Sequence, residues 1–283
     1  MTERGPEPTD DSTTSGEGES ADGRALYVFA VCGSPVPEAV LGLSGVTGGG
    51  PLRQVHFGEL TALVQSVRAA DFTDEVWEAR LSDRAELEQY ARAHHLVVSA
   101  AAASCPTVPL PLATLYHDEG RARHALLAET ERFRTALERT AGRSEWGVKV
   151  YAAELPAPAA DTAPRSAPAT GGRARPAPGA GLAYLERKRG AQAQRERRQE
   201  DSLRLAESVD AAFHGVATAG RRLRPHAPEL GGDCRVQVLN ATYLVEESRA
   251  AEFGRLVRAL RETTGARIEV SGPWVPYSFV GEV

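Results

Sequence analysis

From residue 25 the chain runs Ala25-Leu26-Tyr27-Val28-Phe29-Ala30-Val31-Cys32, eight positions that are almost wholly apolar. A run this short and this apolar reads as a buried strand, and the rest of the chain must build a sheet around it. Two further strands are predicted at Leu52 to Phe57 and Leu60 to Val67, after a loop holding Gly48-Gly49-Gly50-Pro51. Gly58-Glu59 makes a tight turn between them. A helix then starts near Ser82 or Asp83, where Asp83 and Glu86 have the spacing of a capping box. Leu87, Tyr90/Ala91, His94, Val98 and Ala101 follow at helical intervals on one face. Pro106 ends that helix. Val108-Pro109-Leu110-Pro111-Leu112 is forced into extended geometry, since each proline restricts the residue before it, and such a segment suits a sheet edge. One long helix is expected from Asp118 to Thr140, with Leu126, Thr130, Phe133 and Leu137 on one face and Gly142 closing it.

The second half has a different texture. Ser144-Glu145-Trp146-Gly147-Val148-Lys149-Val150-Tyr151 alternates, with Trp146, Val148 and Val150 on one side. Residues 155–180 are dominated by Pro, Ala and Gly and read as a disordered insertion inside a domain. A long helical stretch runs from Gly181 to about Gly220. Residues 186–201 of it lack any large apolar side chain, and its apolar face resumes at Leu203, Leu205/Ala206, Val209, Ala212/Phe213 and Val216. Two strands are expected at Arg235 to Leu239 and Ala241 to Val245, with Asn240 near their turn. A helix capped by Ser248 presents Phe253, Leu256, Val257 and Leu260, ends at Gly265, and precedes a strand at Arg267 to Ser271. The order strand, helix, strand, strand, helix, strand is that of a split βαβ arrangement. The expectation is therefore an α+β protein of two domains, 24–142 and 143–283, the second a modified ferredoxin-like βαββαβ sandwich with a long helix.

Charge narrows the function classes. Residues 1–24 hold seven acids and two arginines, which is the whole net charge of −5; the remainder carries 31 acids and 31 bases. Residues 1–23 read as a disordered acidic tail. A neutral body lacks the basic bias of a nucleic-acid binder and associates readily with itself or with partners. Arg187-Lys188-Arg189 and Arg195 to Arg198 interleave with Glu186, Glu196, Glu200 and Asp201, the pattern of a solvated helix laced with ion pairs. No apolar run approaches the roughly 20 residues needed for a membrane span. The first residues lack the apolar segment of a signal peptide, so a cytoplasmic protein is expected. Cys32, Cys105 and Cys234 lie far apart, none in a C-x-x-C pair, as expected of reduced, unpaired thiols.

No motif for catalysis emerges. Gly48-Gly49-Gly50 lacks the phosphate-loop pattern, and no G-x-S-x-G is present. His94-His95 sits mid-helix with His94 on the apolar stripe, the place of a structural histidine. His117 and His124 are two helical turns, about 10 Å, apart, too far to share one metal ion. No cofactor or metal is expected, and the chain does not read as an enzyme. The rivals are a small-molecule sensor, since ferredoxin-like sheets bind metabolites at edges and dimer interfaces, and an enzyme using His94 or His95.

The most unusual segment is the last. Ser271-Gly272-Pro273-Trp274-Val275-Pro276-Tyr277-Ser278-Phe279 combines stiffening prolines with three large aromatic rings. It reads as a tail packed across its own domain or as a pre-ordered docking surface. It also resembles the terminal S-G-P-W-P-P-Y-S-F of the gas vesicle protein F and L family, with Val275 in place of one proline. Further blocks are similar in the same order: Leu26 to Val31 resembles the opening strand, and His94 or His95, Val108-Pro109-Leu110 and Thr114 the central block. Glu145-Trp146-Gly147-Val148-Lys149-Val150 resembles E-W-G-V-K-V, Gly181 to Lys188 resembles G-x-x-Y-L-x-x-K, and Asn240 to Val245 the segment before the last helix. One departure is Pro109-Leu110-Pro111-Leu112-Ala113-Thr114, where the family commonly has P-x-R-F-G-T. The resemblance implies a non-enzymatic accessory protein of gas vesicle formation, with two α+β domains. It implies binding to the hydrophobic shell protein and to other accessory proteins during nucleation or growth. Trp274, Pro276, Tyr277 and Phe279, with the open sheet, are the expected partner-binding residues.

Overall fold

The computed structural model describes residues 23–152, 180–224 and 236–281. The acidic segment expected to be a disordered tail, most of the Pro/Ala-rich insertion, and Cys234 lie outside the described residues.

The N-terminal half is a sheet with helices on both faces. β1 (Arg24–Cys32) is its centre; β2 (Leu52–Phe57) and β3 (Leu60–Arg68) form the hairpin, and β4 (Thr107–Pro109) takes the other side of β1. The order is β2-β3-β1-β4, with β5 (Leu115–Tyr116) pairing further along the edge of β1 that β4 occupies. Gly58 turns the hairpin at φ 57°, a left-handed angle that glycine adopts without strain. The proline-rich segment therefore sits at the sheet edge, as expected. A register shift between Val28 and Ala30 leaves Phe29 and Ala30 in the same core cluster.

One face of this sheet carries α1 (Glu38–Leu41), α2 (Asp74–Ser82) and α3 (Arg84–Ala102). Tyr90, Val97, Val98 and Ala101 of α3 pack with Tyr27, Phe29 and Leu63. Asp83 caps α3, accepting from the amides of Ala85 (2.9 Å) and Glu86 (3.1 Å). Glu86 does not reciprocate as a capping box would; its carboxylate pairs with Arg80 at 2.9 Å. α2 has no counterpart in the sequence reading; Val76, Trp77 and Leu81 are too few to mark a sustained apolar stripe, and no residue of the helix is buried.

The other face carries α4 (Glu119–Ala128) and α5 (Thr130–Thr140) where one continuous helix was expected. The break is at Glu129, whose amide bonds back only three residues, to the Leu126 carbonyl. The Thr130 hydroxyl takes the Leu127 carbonyl at 2.8 Å, which competes with the helix ladder. The break lets Ala122 and Leu126 on one segment and Phe133, Ala136 and Leu137 on the other reach one cluster under Val28 and Val64.

The C-terminal half has the element order β-α-β-β-α-β: β6 (Arg143–Tyr151), α6 (Ala180–His214), β7 (Ala219–Arg222), β8 (Gln237–Glu246), α7 (Ala250–Thr264) and β9 (Arg267–Trp274). Its sheet runs β7-β8-β6-β9, antiparallel throughout. Two strands differ from expectation. Asn240 is no turn; it lies inside β8 opposite Lys149, and its amide donates to the Arg224 carbonyl at 2.8 Å. β7 arises where the long helix was expected to continue. A side chain at Gly220 would meet His214 Cε1 at 2.7 Å and Tyr243 Cδ1 at 2.9 Å, so glycine lets β7 lie against β8. The buried carboxylate of Asp210 on α6 holds this strand through Arg222 Nε at 2.8 Å and also accepts from the Tyr243 hydroxyl.

α6 and α7 cover one face of this sheet, with Phe213, Tyr243 and Phe253 at its centre. Leu203, expected on the apolar face, is instead 57% exposed; the buried stripe starts at Ala206. The charged stretch from Lys188 to Asp201 stands in solvent, apart from a half-buried Arg198. Ser248 does not cap α7. It lies in a short 3-10 turn, and Arg249 precedes the helix with its guanidinium on the carbonyls of Val216 (2.7 Å) and Gly215 (3.2 Å).

Candidate functional site

Residues 272–281 join the two halves. β9 pairs with β6 as far as Trp274 opposite Glu145, with a register shift across Trp146. Two glycines make the close approach workable. A Cβ at Gly147 would meet Ser271 Oγ at 2.7 Å, and one at Gly272, whose φ is 129°, would meet the Glu145 carbonyl at 2.8 Å. These are the Gly of the E-W-G-V-K-V block, opposite Ser271, and the Gly of the terminal motif, against Glu145 and Trp146.

Past Trp274 the chain leaves its own sheet. Val275 is buried in the cluster built on Tyr27 and Phe29 of the N-terminal half. Phe279 is buried, and Val280 packs against the cluster on the opposite face of that sheet. Glu145, only 7% exposed, fixes the turn at residues 277–279: it accepts from the Ser278 amide at 2.9 Å and the Ser278 hydroxyl at 2.6 Å. Arg139 of α5 reaches the Phe279 carbonyl at 3.4 Å, and Arg221 of β7 the Ser278 carbonyl at 3.3 Å. A carboxylate that is buried and accepts two hydrogen bonds is a strong fixed point.

The structure therefore separates the four residues named from the sequence. Pro276 and Phe279 are covered by this chain, and Tyr277 is half-buried. Trp274 remains 48% exposed, with its ring 5.7 Å from that of His95 on α3. Tyr277 lies 5.9 Å from the same imidazole. Leu96, the next residue of α3, is 59% exposed. The accessible aromatic surface at the seam is Trp274 with the His95 edge, held on two rigid elements.

The other half of the proposed surface, the open sheet face, is polar where β6 and β9 form it. Lys149, Tyr151, Glu269 and Ser271 are half-buried or exposed there, Tyr151 donates to Glu269 at 3.3 Å, and Arg267 lies over the Tyr151 ring.

His94 is a structural residue. It is 3% exposed and stacks on Phe29 at 5.4 Å, and burial lowers its pKa to about 4, so it is neutral at pH 7. The Ala113 amide donates to the Tyr27 oxygen at 3.1 Å, and the same hydroxyl is hydrogen-bonded to His94 Nδ1 at 2.8 Å. His117 and His124 line an open hollow beside Tyr116 and Arg121. No group of three metal-ligating side chains occurs among the described residues, and no helix among them is long and apolar enough to cross a membrane.

Two features were missed from the sequence. One is that Glu145 and Ser278 meet, a contact between distant blocks with no local signal. The other is that Cys32 and Cys105 share one corner of the first sheet.

Comparison with known proteins agrees with the geometry. The family model described as "Gas vesicle synthesis protein GvpL/GvpF" matches residues 25–281. The chain is 38% identical over 262 residues to "Gas vesicle protein L" of Streptomyces sp. (strain CB03234), covering 91% of this chain and 93% of that one. The crystal structure of the gas vesicle protein GvpF from Anabaena sp. PCC7120 superposes with a TM-score of 0.63 at 15% identity, over 92% of this chain and 97% of that one. GvpF from Microcystis aeruginosa gives 0.61 at 14% identity, over 91% and 99%. At these identities the two crystal structures speak for the fold.

Proposed function

The chain belongs to the gas vesicle synthesis protein GvpL/GvpF family, and from that premise we propose that it is an assembly factor that binds the hydrophobic shell protein and other accessory proteins while a vesicle is nucleated and grows. The observation that carries this reading is the family match across residues 25–281. The physical need is plain: shell subunits that will form a wall with an apolar, gas-facing side expose that side while free, and large exposed apolar patches aggregate. A protein that covers such a patch transiently keeps the subunits usable. In this reading the chain works in the cytoplasm beside the growing vesicle, catalyses no reaction and uses no cofactor.

Trp274 is the anchor of the proposed contact. It is the residue of the terminal motif with the most exposed aromatic surface, and the neighbouring residues that fix its position are already paired within the chain. A large ring on a rigid support loses little entropy on binding, as hot-spot residues require.

The test is co-purification of a tagged copy with co-expressed shell protein, beside a Trp274→Ala copy. Retention by the first and loss by the second is the expected result. Retention by both would keep the role and remove Trp274 from it. Retention by neither would overturn direct shell binding.

A further inference from the structure

Cys32 closes β1, and Cys105 lies in the linker between α3 and β4. Cys32 pairs with Thr107 across the β1–β4 ladder, and the Gly33 amide donates to the Pro106 carbonyl at 3.0 Å. Cys105, two residues before Thr107, thus sits diagonally across from Cys32, on the same face of the sheet. Both sulfurs are 3.7 Å from one atom, the Thr107 Oγ1. They are unequal: Cys32 is fully buried, whereas Cys105 is half-buried.

We propose that Cys105 and Cys32 form a reversible redox pair, in which the solvent-facing Cys105 is oxidised first and the buried Cys32 closes a disulfide between β1 and the α3–β4 linker. The neighbouring Cys32 thiol and the Thr107 hydroxyl pull the Cys105 pKa down to about 6, while the Cys105 neighbour and burial push Cys32 up. The reactive thiolate is therefore the one that solvent reaches.

The oxidant is a small peroxide. The Cys105 thiolate attacks one oxygen of hydrogen peroxide, the O–O bond breaks, and hydroxide leaves. Sulfur has lost two electrons and is a sulfenic acid. The Cys32 sulfur, losing its proton, then attacks the Cys105 sulfur, and the S–OH bond breaks. That hydroxide and the proton leave as water. Two thiols and one peroxide give one disulfide and two waters, and a thiol reductant reverses the change.

The local structure accommodates the bond. Cys105 belongs to neither α3 nor β4, so it can approach Cys32 without breaking a strand ladder. The cross-link would tie the end of α3, the helix that meets Trp274 and Tyr277, to the central strand. It would close a long loop in the unfolded chain, so the oxidised form should melt higher.

The experiment uses the full chain, as wild type and with Cys234→Ser so that the third thiol cannot take part. Reduced protein is exposed to a small excess of hydrogen peroxide, alkylated under denaturing conditions and mapped by peptide mass. The expected result is loss of two hydrogens within one chain, a linked peptide pair containing Cys32 and Cys105, and a Tm several degrees higher that falls back with dithiothreitol. Cys105→Ser, a near-isosteric change at a half-buried site, should abolish both the linked pair and the Tm gain. Conversion of Cys105 to sulfinic acid with Cys32 still free, or links only between different chains, would overturn the proposal.

Discussion

β1 and β6 invite comparison because they occupy the same position in their sheets. Each is nine residues long, and each is antiparallel to its partners on both sides. β1 is buried at its last seven positions, whereas β6 is buried only at Glu145, Val148 and Val150. The difference is in the layers around them. Helices α1–α3 and α4–α5 cover opposite faces of the first sheet, so every side chain from Leu26 to Cys32 meets apolar neighbours. Around β6 the second sheet has α6 and α7 on one face and the polar side chains of Lys149, Tyr151 and Glu269 on the other, although β8 beside it is buried from Leu239 to Val245. A continuous apolar run thus marks a strand covered on both faces, and an alternating run marks one covered on one.

The sharpest way to break that comparison is to truncate each strand. Phe29→Ala should cost about 3–5 kcal/mol, the range for emptying a buried aromatic site. Lys149→Ala, on the polar face of β6, should stay within about 0.5 kcal/mol. Denaturant unfolding of both variants decides it; a large loss at Lys149 would mean that the second sheet is covered on both faces too.

His94 extends the comparison to pH. Its imidazole lies in the doubly covered half, and burial holds its pKa at about 4 against about 6.5 in an unfolded chain. Between those values the unfolded state binds a proton that the folded state refuses. Stability is therefore fully present above pH 6.5 and falls as pH drops toward 4, by about 3 kcal/mol in all. Unfolding curves between pH 7 and pH 4 for the wild type and for His94→Gln should diverge, the variant lacking this slope. Parallel curves would show that His94 is not the proton-linked group.

A third test concerns the tail that spans the halves. Ser278→Ala removes the hydroxyl at 2.6 Å from the buried Glu145 carboxylate. A hydrogen bond to a charged group is worth about 1.5–3 kcal/mol, and that loss is expected in the unfolding free energy. No change would mean that water replaces the hydroxyl and that the seam is wetter than described.

Much of this fold was legible because its signals are local. The apolar run at β1, the Leu52–Phe57 and Leu60–Val67 hairpin, and the helical stripe at Phe253, Leu256, Val257 and Leu260 each carry their own pattern. The failures are places where tertiary contacts outweigh local pattern. Asn240 looks like a turn residue yet lies within β8, because the strand pairs with β6 on one side and β7 on the other. Short β7 contains no large apolar residue and exists through Arg222 and Asp210. Of the candidate site, the terminal motif was readable as aromatic and stiff. That its Val275 and Phe279 would be spent on the other half, leaving Trp274 outside, depends on contacts such as Glu145 with Ser278 that no local spacing announces.

Ala113 offers the smallest test and the finest one. It is the one non-glycine among the described residues with a positive φ, at 61°. It stands where the resembling family pattern, P-x-R-F-G-T, has glycine. The conformation is held in place from both sides: its amide donates to the Tyr27 oxygen at 3.1 Å, and the next carbonyl, of Thr114, accepts from the Val28 amide at 2.9 Å. A Cβ in this region costs roughly 1–2 kcal/mol, whereas glycine would add freedom to the unfolded chain worth about 0.4–1 kcal/mol. Ala113→Gly should therefore stabilise the protein by about 0.5–1 kcal/mol, read as a rise in denaturation midpoint with an unchanged slope. The Ala113 methyl also packs against the cluster around Tyr27, which works in the opposite direction. A loss of stability in Ala113→Gly would show that, in the half covered on both faces, one methyl contact outweighs backbone strain. It would also explain how this chain tolerates alanine there.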